Sequence, residues 1–465
     1  MWAANGAGVS WGLHVMTHDL TERVSRRHVL QTIAGLGSVS IAGCVGMGTD
    51  SSGSTDENGD NTSVTDEKGD ATTVSDESAG SVEWEFTEPA GNVWSSPTVV
   101  DGTVYVGSMG TSVESAALYA VDAATGERAW TFSEPSESIS SSPAVANGTV
   151  YIGSGPTLYA VDAETGDQEW AFIEPTRSID ASPTVRDGTV YVGTWGSTLY
   201  AVDAATGERE WAFTEPSGAV NSSATVAAGT VYVGSYGSRF EDHEDAALYA
   251  VDAATGDQEW AFTEPSNSVE SSPTVAAGTV YVGSDDGTVY AVDAATGERE
   301  WAFTEPSGTV ESSPTVASGT VYVGSDDGTL YALNAATGER TWAFTESFRE
   351  LLSVPSSPTV VDGLVIVGTA VKTEPDYLRQ GVLYGVNGAT GEREWSFAKP
   401  AGSIGSSPTV VDGIVYVGGP GPGSTEGGEP TDGVVYALDA GVDGSSDGSR
   451  VRLGTLGHHD VAAER

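Results

Sequence analysis

The sequence predicts an all-β protein, an eight-bladed β-propeller of four-stranded antiparallel blades whose ring is closed by its N-terminal strand. Three observations carry this. Tryptophan recurs at Trp84, Trp130, Trp170, Trp211, Trp260, Trp301, Trp342 and Trp395, each two residues ahead of a phenylalanine. Between successive tryptophans come phrases of the type SSPTV, TVYVGS and LYAVDAATGE, and the spacing of 40 to 53 residues is that of a propeller blade. Sixty glycines with abundant Val, Thr and Tyr describe short strands joined by tight turns. Self-similarity at a fixed period overrides the expectation of several domains that 465 residues would otherwise give.

From the N-terminus, Ser25-Arg26-Arg27-His28-Val29-Leu30-Gln31 precedes an apolar run, Thr32 to Ala42, that ends in Ile41-Ala42-Gly43-Cys44. The run is too short to cross a hydrocarbon core of about 30 Å as a helix, so residues 1–44 read as a signal and not a span. The pattern resembles a twin-arginine export signal with a lipobox. That resemblance implies export in the folded state, lipidation of Cys44 and anchoring at the outer face of the cytoplasmic membrane. Residues 1–15 lack the layout of a signal, which makes Met16 a second candidate start. Cys44 is the single cysteine, so no intrachain disulfide forms. Residues 45–80 are Ser, Thr, Asp, Glu and Gly in near-repeats, with too little apolar surface to offset ordering entropy, and are expected to be a disordered acidic tether. Sequons stand at Asn61, Asn147 and Asn221.

Residues 81–440 hold the repeats. In the copy from Val269 to Phe303, SSPTVAAG reads as a first strand, TVYVGS as a second, TVYAVDA as a third and WAF as a fourth. One blade cannot bury both faces, so blades stack around an axis with the tryptophans between them. The motif A-x-D-x-x-T-G-x-x-x-W, seen as AVDAATGERAW ending at Trp130 and AVDAETGDQEW ending at Trp170, resembles the tryptophan-docking repeat of the pyrroloquinoline-quinone-like (PQQ-like) propellers. The resemblance runs from about Val82 to Ala440, with Asn334 and Asn387 in place of the aspartate. Strand types number eight each but are out of phase: Trp84-Glu85-Phe86 precedes any partner, and Val435 to Ala440 has no tryptophan after it. Pairing the two closes the ring. Residues 441–465 are expected to be a flexible tail.

Four insertions fall between second and third strands: Met109 to Ala116, Tyr236 to Asp245, Ala370 to Gln380 and Gly419 to Asp432. That connection shares a face with the start of each inner strand, so the loops gather at one mouth, where binding residues commonly sit. Residues just before the inner strands, Trp94, Ser140, Asp180, Asn221, Glu270, Glu311, Pro355 and Gly405, are expected to face the channel there. Asp180, Asn221, Glu270 and Glu311 form either an oxygen-rich wall for a hard cation or a solvated acidic rim. Trp94, Trp195 and Tyr236 either stack on a sugar, quinone or peptide or cap their blades. Asp285-Asp286-Gly287 and Asp326-Asp327-Gly328 read as hairpin turns. The six histidines show no zinc spacing, and no Ser/His/Asp grouping stands out from the repeated serines.

The leading functional expectation is a lipid-anchored surface propeller, non-enzymatic and without a cofactor, that binds an envelope protein or glycan through its loop-rich face; it resembles the envelope-assembly lipoprotein propellers. It is expected to be a monomer that meets the membrane only through its anchor. The PQQ-like repeat also implies an alternative, a quinoprotein dehydrogenase holding PQQ and calcium, but this chain has neither an adjacent-cysteine pair nor a C-x-x-C-H haem motif. A small-ligand or glycan sensor is the third class. A formal charge of −47 with only three lysines, Lys68, Lys372 and Lys399, excludes nucleic acid as a partner and matches a halophile's protein. Self-repulsion of that size is screened near molar salt, where the Debye length is about 3 Å. Removing salt by dialysis is therefore expected to unfold the ring; an unchanged far-UV circular dichroism spectrum would count against the halophilic reading.

Overall fold

Alternating Val, Tyr and Leu in each repeat give strands with two buried faces, and the described strands span Val82 to Asp439. The computed structural model describes residues 78–111, 115–237, 245–346, 351–373, 378–398, 403–421 and 432–446. The export signal, Cys44, the tether up to residue 77, the tail beyond 446 and the middle of each of the four insertions lie outside these residues. Eight antiparallel sheets are present, and the described residues include no helix. The first blade is typical: Thr98–Val100, Thr103–Gly107, Leu118–Asp122 and Arg128–Phe132 pair in that order from the axis outward. Each inner strand neighbours the inner strands of the blades on either side, from the first blade round to the eighth and back.

The SSPT phrase differs from its expected role. Only its threonine and the two residues after it are strand; the serines lie before it and join blades. The second serine of every blade donates its backbone N–H to the hydroxyl of the next: Ser96 to Ser142, then Ser182, Ser223, Ser272, Ser313, Ser357, Ser407 and back to Ser96, at 2.9 to 3.1 Å. The cycle has no open end. The threonine hydroxyl adds a bond to the next blade's carbonyl, as from Thr98 to Pro143 and from Thr409 to Pro97, both 2.6 Å. The first serine accepts from the glycine of the second strand within its own blade, as Ser222 does from Gly234 at 2.7 Å. That glycine is required by a close approach: a Cβ on Gly107 would stand 2.2 Å from Ile139 Cγ2 of the following blade.

At the rim each tryptophan crosses to the next blade. Trp130 Nε1 donates to Ala163 O at 3.0 Å, and the Tyr105 hydroxyl donates to the same carbonyl at 3.2 Å. Equivalent tryptophan bonds run from Trp84 to Ala123 and so on to Trp395, which bonds Ala440 at 3.0 Å. The motif's threonine and aspartate shape the turn that presents this carbonyl. Asp122 Oδ1 accepts from the N–H groups of Ala124 and Thr125. Asn334 and Asn387 keep both bonds through Oδ1, so the two departures from the motif leave the turn intact.

The closure is as expected: Val82–Phe86 pairs with Gly433–Asp439 and completes the eighth blade. The turn beside it is rebuilt from both ends of the described chain. Gly80 N–H donates to Asp439 O at 2.8 Å, as Gly126 does to Asp122 at 2.9 Å, and Asp439 N–H donates to Ser81 O. Ser78 Oγ donates to Asp439 Oδ2 at 2.6 Å, and Gly441 N–H donates to Asp439 Oδ1. Residues 78–80, assigned to the tether, thus belong to the ring. So do the first residues assigned to the tail: Gly413 N–H bonds Gly444 O, and Ser446 is buried against Val410.

The seventh blade departs from the template. Its insertion is strand for much of its length, Leu364–Thr373 pairing with Leu378–Asn387, and Leu351–Ser353 adds a fifth strand. Arg–Glu pairs link neighbouring blades at the rim, and one such as Arg128–Glu88 at 2.6 Å, with both side chains about half exposed, contributes little. The tryptophan contacts matter more. Trp395→Ala, at the rebuilt turn, is expected to lower stability by about 3–5 kcal/mol in denaturant titrations at molar salt; a loss below about 1 kcal/mol would show that the indole bears little of the interface.

Candidate functional site

The mouth is built from two sets of positions that recur around the ring. The first is the predicted channel set, Trp94, Ser140, Asp180, Asn221, Glu270, Glu311, Pro355 and Gly405. The second is the residue that follows the serine, threonine or glycine after each second-strand glycine: Met109, Gly155, Trp195, Tyr236, Asp285, Asp326, Ala370 and Pro420. Within most blades the backbone holds the two side by side, since Trp195 N–H donates to Ser178 O, Tyr236 N–H to Ala219 O and Asp285 N–H to Ser268 O. Each acceptor lies two residues before the first-set residue of its own blade.

Five of the predicted residues meet. Trp195 Nε1 donates to Asp180 Oδ2 at 2.6 Å, and the Trp195 ring lies 5.2 Å from that of Tyr236 at 42°. The Tyr236 hydroxyl reaches Glu270 and Asn221; burial and the Glu270 carboxylate hold it well above the ordinary phenol range. Asn221 Oδ1 is buried with no hydrogen-bond partner. Glu311 lies further along the same arc, where burial, Asp326 and Glu270 push its carboxyl up. Trp94, 52% exposed, stands in the first blade apart from these contacts.

The two DDG phrases serve two purposes. Their second aspartates do make the hairpin turns: Asp286 Oδ1 accepts from Thr288 N–H and Oδ2 from the Tyr290 hydroxyl, and Asp327 does the same for Thr329 and Tyr331. Their first aspartates belong to the mouth. Burial and the charges of Glu270 and Glu311 push the Asp285 carboxyl up to about 8, and its Oδ1 has no partner. Asp285 and Asp326 went unread in the sequence because a turn phrase explained them; their alignment with Trp195 and Tyr236, one residue past the serine or threonine, was the available signal. Among the described residues no group of three or more carboxylate, imidazole or thiol side chains is placed to hold a cation.

The mouth is therefore divided. Blades three to six present Asp180, Asn221, Glu270, Glu311, Trp195, Tyr236, Asp285 and Asp326, while blades seven, eight and one present Pro355, Gly405, Trp94, Ala370, Pro420 and Met109. None of the sixteen positions is Lys or Arg.

A family model described as outer membrane protein assembly factor BamB matches residues 45–138, 114–240 and 244–396. No curated protein sequence matches significantly. Among solved structures, BamB from Moraxella catarrhalis is similar at 19% identity and a TM-score of 0.59, over 78% of this chain and all of that one. Quinohemoprotein alcohol dehydrogenase from Comamonas testosteroni is similar at 19% identity and 0.59, over 77% and 76%. The computationally designed Ika8 protein is similar at 15% and 0.60, over 76% and 98%. At these identities the structural likeness shows the fold alone.

The raised Asp285 carboxyl has a defined consequence for stability. Its folded value lies above its unfolded one, so its contribution is full at low pH and is lost as pH rises through about 4 to 8. Asp285→Asn is expected to raise stability at pH 8 and above by on the order of 1 kcal/mol, since the mouth is open to water, and to flatten the profile across that window. Parallel wild-type and variant profiles from pH 5 to 9 would show that the carboxyl is not strained.

Proposed function

The chain belongs to the PQQ-like repeat family, the one whose matching model is described as outer membrane protein assembly factor BamB, and from that premise we propose that it is a lipid-anchored binding or scaffold module of the cell surface. The observation that carries this reading is the separation of its two faces. Insertions and the divided mouth lie at one end of the ring. The chain enters the ring at Ser78, within the rebuilt turn on the opposite face, because successive turns of an antiparallel blade alternate between faces. A tether attached there leaves the mouth free for a partner, an envelope protein or glycan, and Cys44 supplies the anchor.

The mouth does not suit the family's quinone. PQQ carries three carboxylates, and here it would meet Asp180, Glu270, Asp285, Glu311 and Asp326 with no Lys or Arg among the sixteen positions and no converging set of cation ligands among the described residues. The contact anchor is instead Trp94, a large exposed aromatic on the side of the mouth where blades seven, eight and one present Pro355, Gly405, Ala370, Pro420 and Met109, and the kind of side chain that dominates interface energetics.

Chemical cross-linking in intact cells at molar salt, followed by fractionation, tests this. A partner cross-linked to the native chain is expected to be lost in Trp94→Ala at unchanged stability, and Cys44→Ser is expected to move the protein from the membrane to the medium. Dye reduction by the purified protein with added PQQ and calcium, abolished in Trp94→Ala, would replace the scaffold by the dehydrogenase.

A further inference from the structure

The second blade breaks the pattern of the mouth. Its connection between second and third strands is one residue shorter than in blades three, five and six: Ser154-Gly155-Pro156-Thr157 against, for example, Thr194-Trp195-Gly196-Ser197-Thr198. The shortening moves the backbone. Ile179 N–H bonds Gly155 O at 2.7 Å, whereas the corresponding N–H elsewhere bonds the serine or threonine carbonyl, as Val220 does to Thr194. It also places glycine at the one mouth position where blades one and three carry Met109 and Trp195. Gly155 has φ +49°, and a Cβ there would stand 2.6 Å from the Glu137 carboxyl carbon. The Glu137 side chain takes the place that a side chain at Gly155 would need.

Beside Gly155 lies a cavity of about 490 Å³, of a size that holds small molecules. Its lining is mostly hydroxyl and carboxylate, with Ser136, Ser138, Ser140 and Ser178 beside Glu137 and Asp180, and Met109 and Ala116 give it an apolar side. Ser138 Oγ donates to Met109 O, which fixes the hydroxyl and leaves its lone pairs as acceptors. Trp195 Nε1 donates to Asp180 Oδ2, and that bond sets an indole beside the cavity.

We propose that this cavity over the second blade is a subsite for a neutral saccharide. A sugar unit matches the lining group by group. Its vicinal hydroxyls donate in pairs to a carboxylate, its oxygens accept from serine hydroxyls, and its C–H face stacks on an aromatic ring. An apolar ligand would leave these groups unpaired, and an anion would meet two carboxylates with no lining Lys or Arg. The proposal rests on the mouth being the binding face, and it names one class of ligand for it.

The test uses the full-length chain at molar potassium chloride and the methyl glycosides of glucose, mannose, galactose and N-acetylglucosamine, followed by calorimetry and saturation-transfer NMR. At least one is expected to bind saturably. Ser140→Phe, which fills the cavity, and Asp180→Asn, which exchanges one carboxylate oxygen for an amide donor, are each expected to weaken binding about tenfold or more. Ile173→Thr, at an exposed residue just past the outer strand Gln168–Phe172, is expected to leave it unchanged. The two cavity variants act independently, so a folding defect in one does not remove the test. Absence of binding by all four glycosides, equal binding in both cavity variants, or displacement by spermidine would overturn the subsite. Cross-linking of a partner that persists under any of those results would show that the subsite has failed while the scaffold reading stands.

Discussion

The constraint on which the rest of this structure depends is the closed cycle of bonds from each second serine to the next. A hydrogen bond from a backbone N–H to the following blade's hydroxyl can return to its start only if the blades complete a full turn, and here it does so after eight. The cycle satisfies buried polar groups just before every inner strand, next to the channel. It also explains why SSPT is repeated so faithfully: the first serine ties the strand to its own blade, the second to the preceding blade and the threonine to the following one. Where the phrase varies, the loss is local. Ala144 replaces one threonine and removes one of the carbonyl bonds, and the serine cycle passes through that blade unbroken.

The rim repeats the logic with larger groups. Tryptophan and tyrosine from one blade share a carbonyl of the next, and the aspartate–threonine turn holds that carbonyl in place. Continuity of the chain is not needed for this. At the eighth blade the turn is assembled from Asp439-Ala440-Gly441 and Ser78-Ala79-Gly80-Ser81, two segments more than 350 residues apart, with the same backbone bonds. A ring clasped in this way has no separate terminal repeat to cap, and it fixes both the entry of the chain and residues 441–446 on the face opposite the mouth.

Much of this was legible from the sequence because it is periodic. The tryptophans, the count of eight and the pairing of Val82–Phe86 with the last strand follow from period and phase alone. What escaped is what the period hides. Asp285 and Asp326 sit inside turn phrases that local chemistry already accounts for, and only their place around the ring marks them as mouth residues. Gly155 is one glycine among sixty, and its effect depends on Met109 and Trp195 in the neighbouring blades. Leu351–Ser353 is the one fifth strand among the described residues, and it pairs with the lengthened second strand of the seventh blade, which no period announces. The contacts among Asp180, Trp195, Tyr236 and Asn221 join residues that had been chosen singly, for position or for type. Function in such a molecule lies where equivalent positions differ.

Native-state hydrogen exchange tests the central claim of a ring with no weak seam. Amide protection of Trp84 and Phe86 against Ala437 and Val435 is predicted to equal that of Trp130 and Phe132 in the first blade, and the serine amides at Ser96 and Ser407 to exchange with the other six only by global opening. Exchange of the Val82–Phe86 amides through a separate, lower-energy opening would contradict it, and would make the clasp a hinge and not a closure.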